Sequence, residues 1–273
     1  MREIKINSNE AGQRLDKFLS KYMTLAPKSF LYKMLRKKNI TLNGKKVSGQ
    51  EKLSQDDIVR MFLSDETIEK FSPQRETSPT VRELPSDLDI LYEDRHTIFI
   101  NKPAGMLSQK ASKDDVSLVE YLTGYLLDTR QITESELRTF HPAVCNRLDR
   151  NTSGIVAAGK TLSALQELSA MFRNRSLKKY YLCLVAGTVK EKGRLSGYLK
   201  KDPRTNRVVF SKEKKEGASE IRTEYRPLET GDDVTLLEVH LITGKTHQIR
   251  AHMASQGHPI IGDYKYGDRR IND

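Results

Sequence analysis

"DVTLLEVHLITGKT", residues 233–246, decides which kind of fold this chain has. Its closing Gly244-Lys245-Thr246 carries the lettering of a phosphate-binding loop and invites a nucleotide-binding reading. Such a loop needs a further glycine five positions before Gly244, and that position holds Val239. The backbone cradle for phosphate is missing, and the stretch is left as an apolar strand running into a turn. Outward from it the pattern repeats: "LDILYED" (88–94), "HTIFINKPAG" (96–105), "GIVAAGK" (154–160) and "KKYYLCLVAGTV" (178–189) read as strands, with a basic hairpin over 194–225. Only "SLVEYLTGYLLD" (117–128) and "LSALQELSAMFRN" (162–174) read as helices between them. Many strands without regular βα alternation predict an α+β domain with a mixed, largely antiparallel sheet.

Composition narrows the partners. Forty-seven Lys and Arg against thirty-six Asp and Glu leave a net charge of +11, an excess that favours a polyanion. Nucleic acid comes before an anionic membrane, because no apolar run approaches the roughly 18 residues that span a bilayer. The N-terminus, "MREIKINSNE", lacks the apolar core of a signal peptide, so a soluble, cytoplasmic chain is expected. Two cysteines, Cys145 and Cys183, provide neither a disulfide framework nor paired zinc ligands, and are expected reduced and buried.

The N-terminal stretch predicts a module of its own over residues 1–63. Leu15, Phe18, Leu19 and Tyr22 share one helix face, Phe30, Leu31, Met34 and Leu35 another, and "ITLNGKKV" reads as a hairpin about Asn43-Gly44. Between Lys28 and Lys46 stand seven basic residues, Lys28, Lys33, Arg36, Lys37, Lys38, Lys45 and Lys46, and no acidic one. A charge run is usually a solvated face, but an unopposed one on a helix and its following turn suits phosphate. The stretch "RLDKFLSKYMTLAPKSFLYKMLRKKNITLNGKKV" resembles the alpha-L RNA-binding module. Residues 64–87 have linker composition, with three prolines and many charges, which leaves 88–273 as the second domain.

Three segments could carry chemistry. In "CNRLDRNTSG" (145–154), Arg147 and Arg150 favour the charged form of Asp149, although most such runs are surface ion pairs and Asn-Thr-Ser-Gly is ordinary turn chemistry. In "KKYYLCLVAG", the adjacent Tyr180 and Tyr181 must face opposite sides of a strand. In "TGKTHQIRAHMASQGHP" (243–259), His247, His252 and His258 match no zinc spacing, while Arg250 could clamp an anion or lie on a helix surface.

Taken in order, "INKPAG", "RLDRNTSG", "YYLCLVAG" and "LITGKTHQIRAHMASQGHPIIGDYKYG" resemble the RluA-type pseudouridine synthases, and the resemblance runs from about residue 88 onward. It implies an isomerase acting on uridine in structured RNA, without metal, nucleotide or organic cofactor. The catalytic aspartate falls on Asp149 and the aromatic partner on Tyr181, by the count back from Gly187. The basic residue opposite the aspartate falls on Arg250, and the apolar floor of the uracil pocket on Leu241. Arg147, Leu148, Lys245 and His247 complete the expected substrate-binding set. Asp149 could act as nucleophile at the sugar, as nucleophile at the ring, or in an elimination, and the target base must leave its stack in each case.

The chain departs from the pattern at Asn146, where histidine is usual, at Asn151, where aspartate is common, and at Lys245, where arginine is frequent. Asparagine cannot titrate, and lysine lacks the bidentate fork. Relatives of this pattern continue past the position of Asp273 through a further strand-forming segment, so a catalytic sheet truncated at its C-terminal end is expected. Large-subunit ribosomal RNA is the expected substrate and a monomer the expected state. Transfer RNA as substrate, or a non-catalytic RNA-binding or ribosome-assembly protein, are the alternatives.

Overall fold

The computed structural model describes residues 1–7, 9–72, 87–112, 114–202, 204–205, 207–267 and 269–272. By internal packing the chain divides into two compact units, Met1–Ala170 and Met171–Asp273. The expected domain boundary in 64–87 lies mostly at residues 73–86, outside the described residues.

The first unit opens with helices α1 (Leu15–Tyr22) and α2 (Lys28–Arg36), which bury Leu15, Phe18 and Leu19, and Leu31, Met34 and Leu35. This spacing makes one apolar stripe on each helix. The stripes share a core with Ile40, Val59 and Met61 of a three-stranded antiparallel sheet. Its strands are β1 (Arg2–Lys5), β2 (Ile40–Leu42) and β3 (Ile58–Met61), in the order β1-β3-β2.

Asn43 and Gly44 take φ of 51° and 74°, the left-handed pair that a tight two-residue turn requires. The chain does not continue as a hairpin, however, because β2 pairs with β3 instead. Asn43 explains the choice: its amide accepts from the Ile58 N–H and donates to Asp57, both at 2.8 Å. Lys45 and Lys46 are thereby left exposed beyond the turn.

Part of the segment with linker composition is helical. Helix α3 (Asp65–Phe71) is capped by Ser64, buries Ile68 and brings Phe71 to 4.7 Å from the Phe30 ring. It packs on the N-terminal module, because two apolar residues in seven suffice to seat one short helix. That module also meets the segment that follows residue 87, where the buried Glu10 carboxylate accepts the Thr139 hydroxyl at 2.5 Å.

The rest of this unit is a four-stranded antiparallel sheet in the order β4-β5-β7-β6. It comprises β4 (Ile90–Glu93), β5 (Thr97–Lys102), β6 (Ala143–Val144) and β7 (Gly154–Gly159). Helix α4 (Leu118–Asp128) starts at a Ser117/Glu120 capping box. Helix α5 (Leu162–Arg173) closes tightly on β7: a Cβ at Gly159 would stand 2.5 Å from the Leu165 backbone, so only glycine fits.

The second unit is a five-stranded antiparallel sheet in the order β10-β9-β11-β12-β8. Its strands are β8 (Tyr180–Ala186), β9 (Gly193–Asp202), β10 (Arg207–Ser211), β11 (Ser219–Thr230) and β12 (Val234–Leu241). Helix α6 (Gln248–Ser255) covers one face, with Ala251 against Leu199, Val208 and Ile221 and Met253 against Val185, Leu237 and Val239. The fold class is α+β with antiparallel sheets, as the strand-rich pattern predicts. The short helix α7 (Arg269–Asn272) ends the described chain. Among the described residues no helix is long and apolar enough to cross a membrane.

Candidate active site

Asp149 lies in the loop between β6 and β7, flanked by the buried Leu148 and the exposed Arg147 and Arg150. Main-chain contacts shape this loop. The Leu148 N–H donates to the Ser108 hydroxyl at 3.0 Å, and that hydroxyl donates to the Leu148 carbonyl at 2.9 Å. The Gly105 N–H reaches the Arg150 carbonyl at 2.8 Å, while the Arg150 Nε donates to the Gly105 carbonyl at 3.0 Å. Asn146 extends the ladder between loop and strand, its amide accepting from Ala157 N–H at 2.8 Å and donating to the Ile155 carbonyl at 3.1 Å.

Beneath the loop, the fully buried Lys102 at the end of β5 donates to the carbonyls of Pro103, Met106 and Arg150 at 2.7, 2.8 and 3.2 Å. An ammonium has three N–H donors, and three carbonyls receive them. Burial pushes the Lys102 pKa down, and the charge of Asp149 acts in the opposite sense. Lys102 is thus a buried cation whose charge interacts with that of Asp149.

The second unit carries the other expected residues. Tyr181 and Leu241 lie on the inward face of their strands, and Tyr181 packs beside Val185 and Val239. Tyr180 points the other way, 54% exposed, with its ring stacked 4.9 Å from that of His240. His247 takes a left-handed φ of 53° at the start of α6, and its Nδ1 lies 2.8 Å from the Tyr266 hydroxyl. Lys245 is exposed, and its N–H donates to the buried Gln248 side chain at 3.1 Å.

Arg250, on α6, is held in a cage. Its Nε and Nη2 donate to the two carboxylate oxygens of Asp263 at 2.7 and 2.8 Å, and its guanidinium lies 5.1 Å from the centre of the Tyr266 ring. Burial pushes the Asp263 pKa up, but the Arg250 fork and the N–H groups of Lys265 and Tyr266 outweigh it and hold the carboxyl below its ordinary value. Behind Arg250, Gln248 and His252 engage Thr223 of β11, each at 2.9 Å. The His252 Nε2 is buried and has no hydrogen-bond partner among the described residues.

The seven cations of the N-terminal run are all exposed on α2 and the chain that follows it. Cys145 and Cys183 are half-buried rather than buried, and burial pushes the Cys183 thiol up to about 12. Among the described residues no group of three or more His, Cys, Asp or Glu could hold a metal ion.

Residues 96–255 match the family model described as RNA pseudouridylate synthase. The chain is 33% identical over 270 residues to ribosomal large subunit pseudouridine synthase C of Vibrio vulnificus, covering 98% of this chain and 81% of that protein. The protein of the same name from Escherichia coli K12 is 32% identical over 278 residues, with the same coverage. This chain belongs to the RNA pseudouridylate synthase family. Its fold is similar to that of human RNA pseudouridylate synthase domain containing 1, with a TM-score of 0.54 at 25% identity over 67% of this chain and 71% of the human one. It is thus an isomerase of uridine in RNA, of the RluA type that the four ordered motifs resemble.

Within this family reading, two supports of the site carried no assigned role. Lys102 follows Ile98 and Ile100 on the buried parity of β5, so an inward-facing lysine was visible in "TIFINK". Asp263 and Tyr266 stand in "GDYKYG", but their tie to Arg250 crosses a helix and a turn, where no periodicity points.

Proposed function

We propose that this chain converts uridine to pseudouridine in large-subunit ribosomal RNA. The observation that carries the reading is the 33% identity, across 98% of the chain, to a protein named for that reaction on the large ribosomal subunit. In the reaction the glycosidic carbon–nitrogen bond breaks, uracil turns, and a carbon–carbon bond to the same sugar forms. A proton leaves the ring carbon and the ring nitrogen gains one, so the conversion needs no oxidant, reductant or organic cofactor.

In this proposal Asp149 supplies the carboxylate that opens the reaction, as nucleophile or base. Tyr181 stacks on uracil and removes the ring-carbon proton, Leu241 gives an apolar floor, and Arg250 occupies the space that the extruded base vacates. Arg147, Leu148, Lys245 and His247 contact the nucleotide. The N-terminal module, residues 1–63, adds phosphate contacts through the Lys28–Lys46 run, and the chain acts as a cytoplasmic monomer.

Asp149→Asn preserves shape while removing charge and nucleophilicity. It is expected to bind a large-subunit ribosomal RNA transcript within a few fold of wild type, because phosphate contacts dominate affinity, and to make no pseudouridine. Carbodiimide mapping of the product checks this. Retained conversion by the variant would remove Asp149 from the chemistry, and conversion of transfer RNA in preference to the transcript would reassign the substrate.

A further inference from the structure

Away from α6, the other face of the five-stranded sheet carries charge in two unlike groups. Across β9, β11 and β12 the arginines are neutralised: Arg222 lies 2.6 Å from Glu220, Arg226 2.7 Å from Glu238, and Arg194 3.7 Å from Glu224. At the β9–β10 end, Lys200, Lys201 and Lys215 line a cavity of about 330 Å³ with Tyr198, Val209 and Asp202. Among the described residues no carboxylate pairs with these lysines. Asp202 keeps its charge but directs its two oxygens to the Arg204 N–H and the Thr205 hydroxyl, both at 2.9 Å, and forms no ion pair with a cavity lysine among the described residues.

The apolar part of the cavity is as unusual as its charge. Val209 is 60% exposed in the middle of β10, and Tyr198 is half-buried on the adjacent strand. Lysines often guard an edge strand against pairing with another chain, and β10 is an edge. Guarding would put the charge on β10 itself, where the exposed mid-strand residue is instead Val209. The lysines stand on β9 and on the turn before β11, around the cavity.

An aromatic wall and an apolar floor, ringed by unpaired cations, match a flat base joined to phosphates. We propose that this cavity binds one nucleotide of the RNA chain, its base against Tyr198 and Val209 and its phosphates on Lys200 and Lys215. Leu199, Val208 and Ile221, which alternate with Tyr198, Lys200 and Val209, face α6, so the cavity lies on the opposite side of the sheet from Arg250. It is a docking site for RNA flanking the target rather than a place for the reacting uridine. The proposal rests on RNA being the substrate.

Anisotropy with a fluorescein-labelled oligouridylate, titrated at several salt concentrations, tests it on the full chain. The double variant Lys200→Ala/Lys215→Ala is expected to bind about tenfold more weakly, with a salt slope lower by about 1.4 for two lost contacts to a single strand. Tyr198→Ala is expected to weaken binding about tenfold and Tyr198→Phe to restore it, since stacking needs the ring and not the hydroxyl. Should the alanine variant fail to fold, the exposed lysine pair decides alone.

Wild-type affinity and slope in the lysine pair would overturn the assignment. Loss in the lysine pair with none in a folded Tyr198→Ala would also overturn it, leaving a diffuse basic surface. Product formation by wild type, measured separately on the ribosomal transcript, keeps the two readings apart. An inactive wild type whose variants still lose affinity would sink the proposed reaction and leave the cavity standing.

Discussion

The loop of Asp149 and the helix of Arg250 are immobilised by opposite means. Around Asp149 the contacts run through the main chain: Ser108 closes on both backbone groups of Leu148, Gly105 exchanges bonds with Arg150, and Lys102 holds three carbonyls. Around Arg250 they run through side chains, those of Asp263, Tyr266, Gln248 and His252. A framework that grips main-chain groups rests on a few donors, the Ser108 hydroxyl, the Lys102 ammonium and the Arg150 Nε, and fails where one of them is lost. A side-chain framework can be loosened one contact at a time, and it responds to pH wherever a member titrates.

Lys102→Met gives the largest expected effect. Methionine keeps the length of the side chain and removes all three donors, so the Pro103 and Met106 carbonyls lose their charge-assisted bonds; the Arg150 carbonyl keeps its bond from Gly105. At about 1.5–3 kcal/mol for each bond to a charged donor, the loss is about 4 kcal/mol of stability, and pseudouridine formation falls with it. Thermal unfolding beside turnover measures both. Lys102→Arg, which restores charge but has a planar fork in place of a compact three-donor head, is expected to recover little. A Met variant with wild-type melting temperature and turnover would show that the loop stands without its buried cation.

The same contrast explains what was legible from sequence. The Asp149 loop was found because its own letters carry a motif, and β5, β8 and β12 because residues in contact with the core recur at every second position. Strand alternation put Tyr180 and Tyr181 on opposite faces, and the count back from Gly187 that the resemblance supplies chose Tyr181. Contacts chosen among distant candidates were harder to see. The Asn43-Gly44 turn is local, whereas the pairing of β2 with β3 depends on Asn43 finding Asp57 and Ile58. Helix α3 was hidden by the charge of its flanks, since Ile68 and Phe71 alone reach the core. Asp263 was unassigned because the aromatic and carboxylate cage forms only once α6 and the chain after it have turned back.

The next effect separates the two frameworks by pH. Burial pulls the His252 pKa down to about 4 from an ordinary 6.5. Above pH 6.5 the folded and unfolded chains are both neutral at this residue. As pH falls from 6.5 toward 4, the unfolded chain takes up a proton that the folded chain refuses, so stability is lost across that window, by roughly 3 kcal/mol at its lower end. His252→Gln can keep a hydrogen bond to Thr223 and does not titrate, so its melting temperature is expected to vary less over the same range. Parallel curves for the two proteins would place the acid sensitivity elsewhere.

The smallest effect sharpens the comparison most, because it distinguishes a residue that acts through Arg250 from one that merely holds the fold. Asp263→Asn keeps the shape of the side chain but replaces a bidentate carboxylate with a neutral amide that has one acceptor oxygen. Since the Arg250 side chain is 24% exposed, water offsets part of the loss, and about 2 kcal/mol is expected rather than the larger cost of breaking a fully buried pair. Turnover per unit of RNA affinity is expected to fall about tenfold as the guanidinium loses its fixed direction. Arg250→Lys lacks the fork that Asp263 grips, so adding Asp263→Asn to it should cost little more, and the two changes should combine far less than additively. Full additivity in that cycle, for stability and for turnover alike, would make Asp263 an independent structural residue. Additivity in stability alone, with non-additive turnover, would confine its influence to the direction in which Arg250 points.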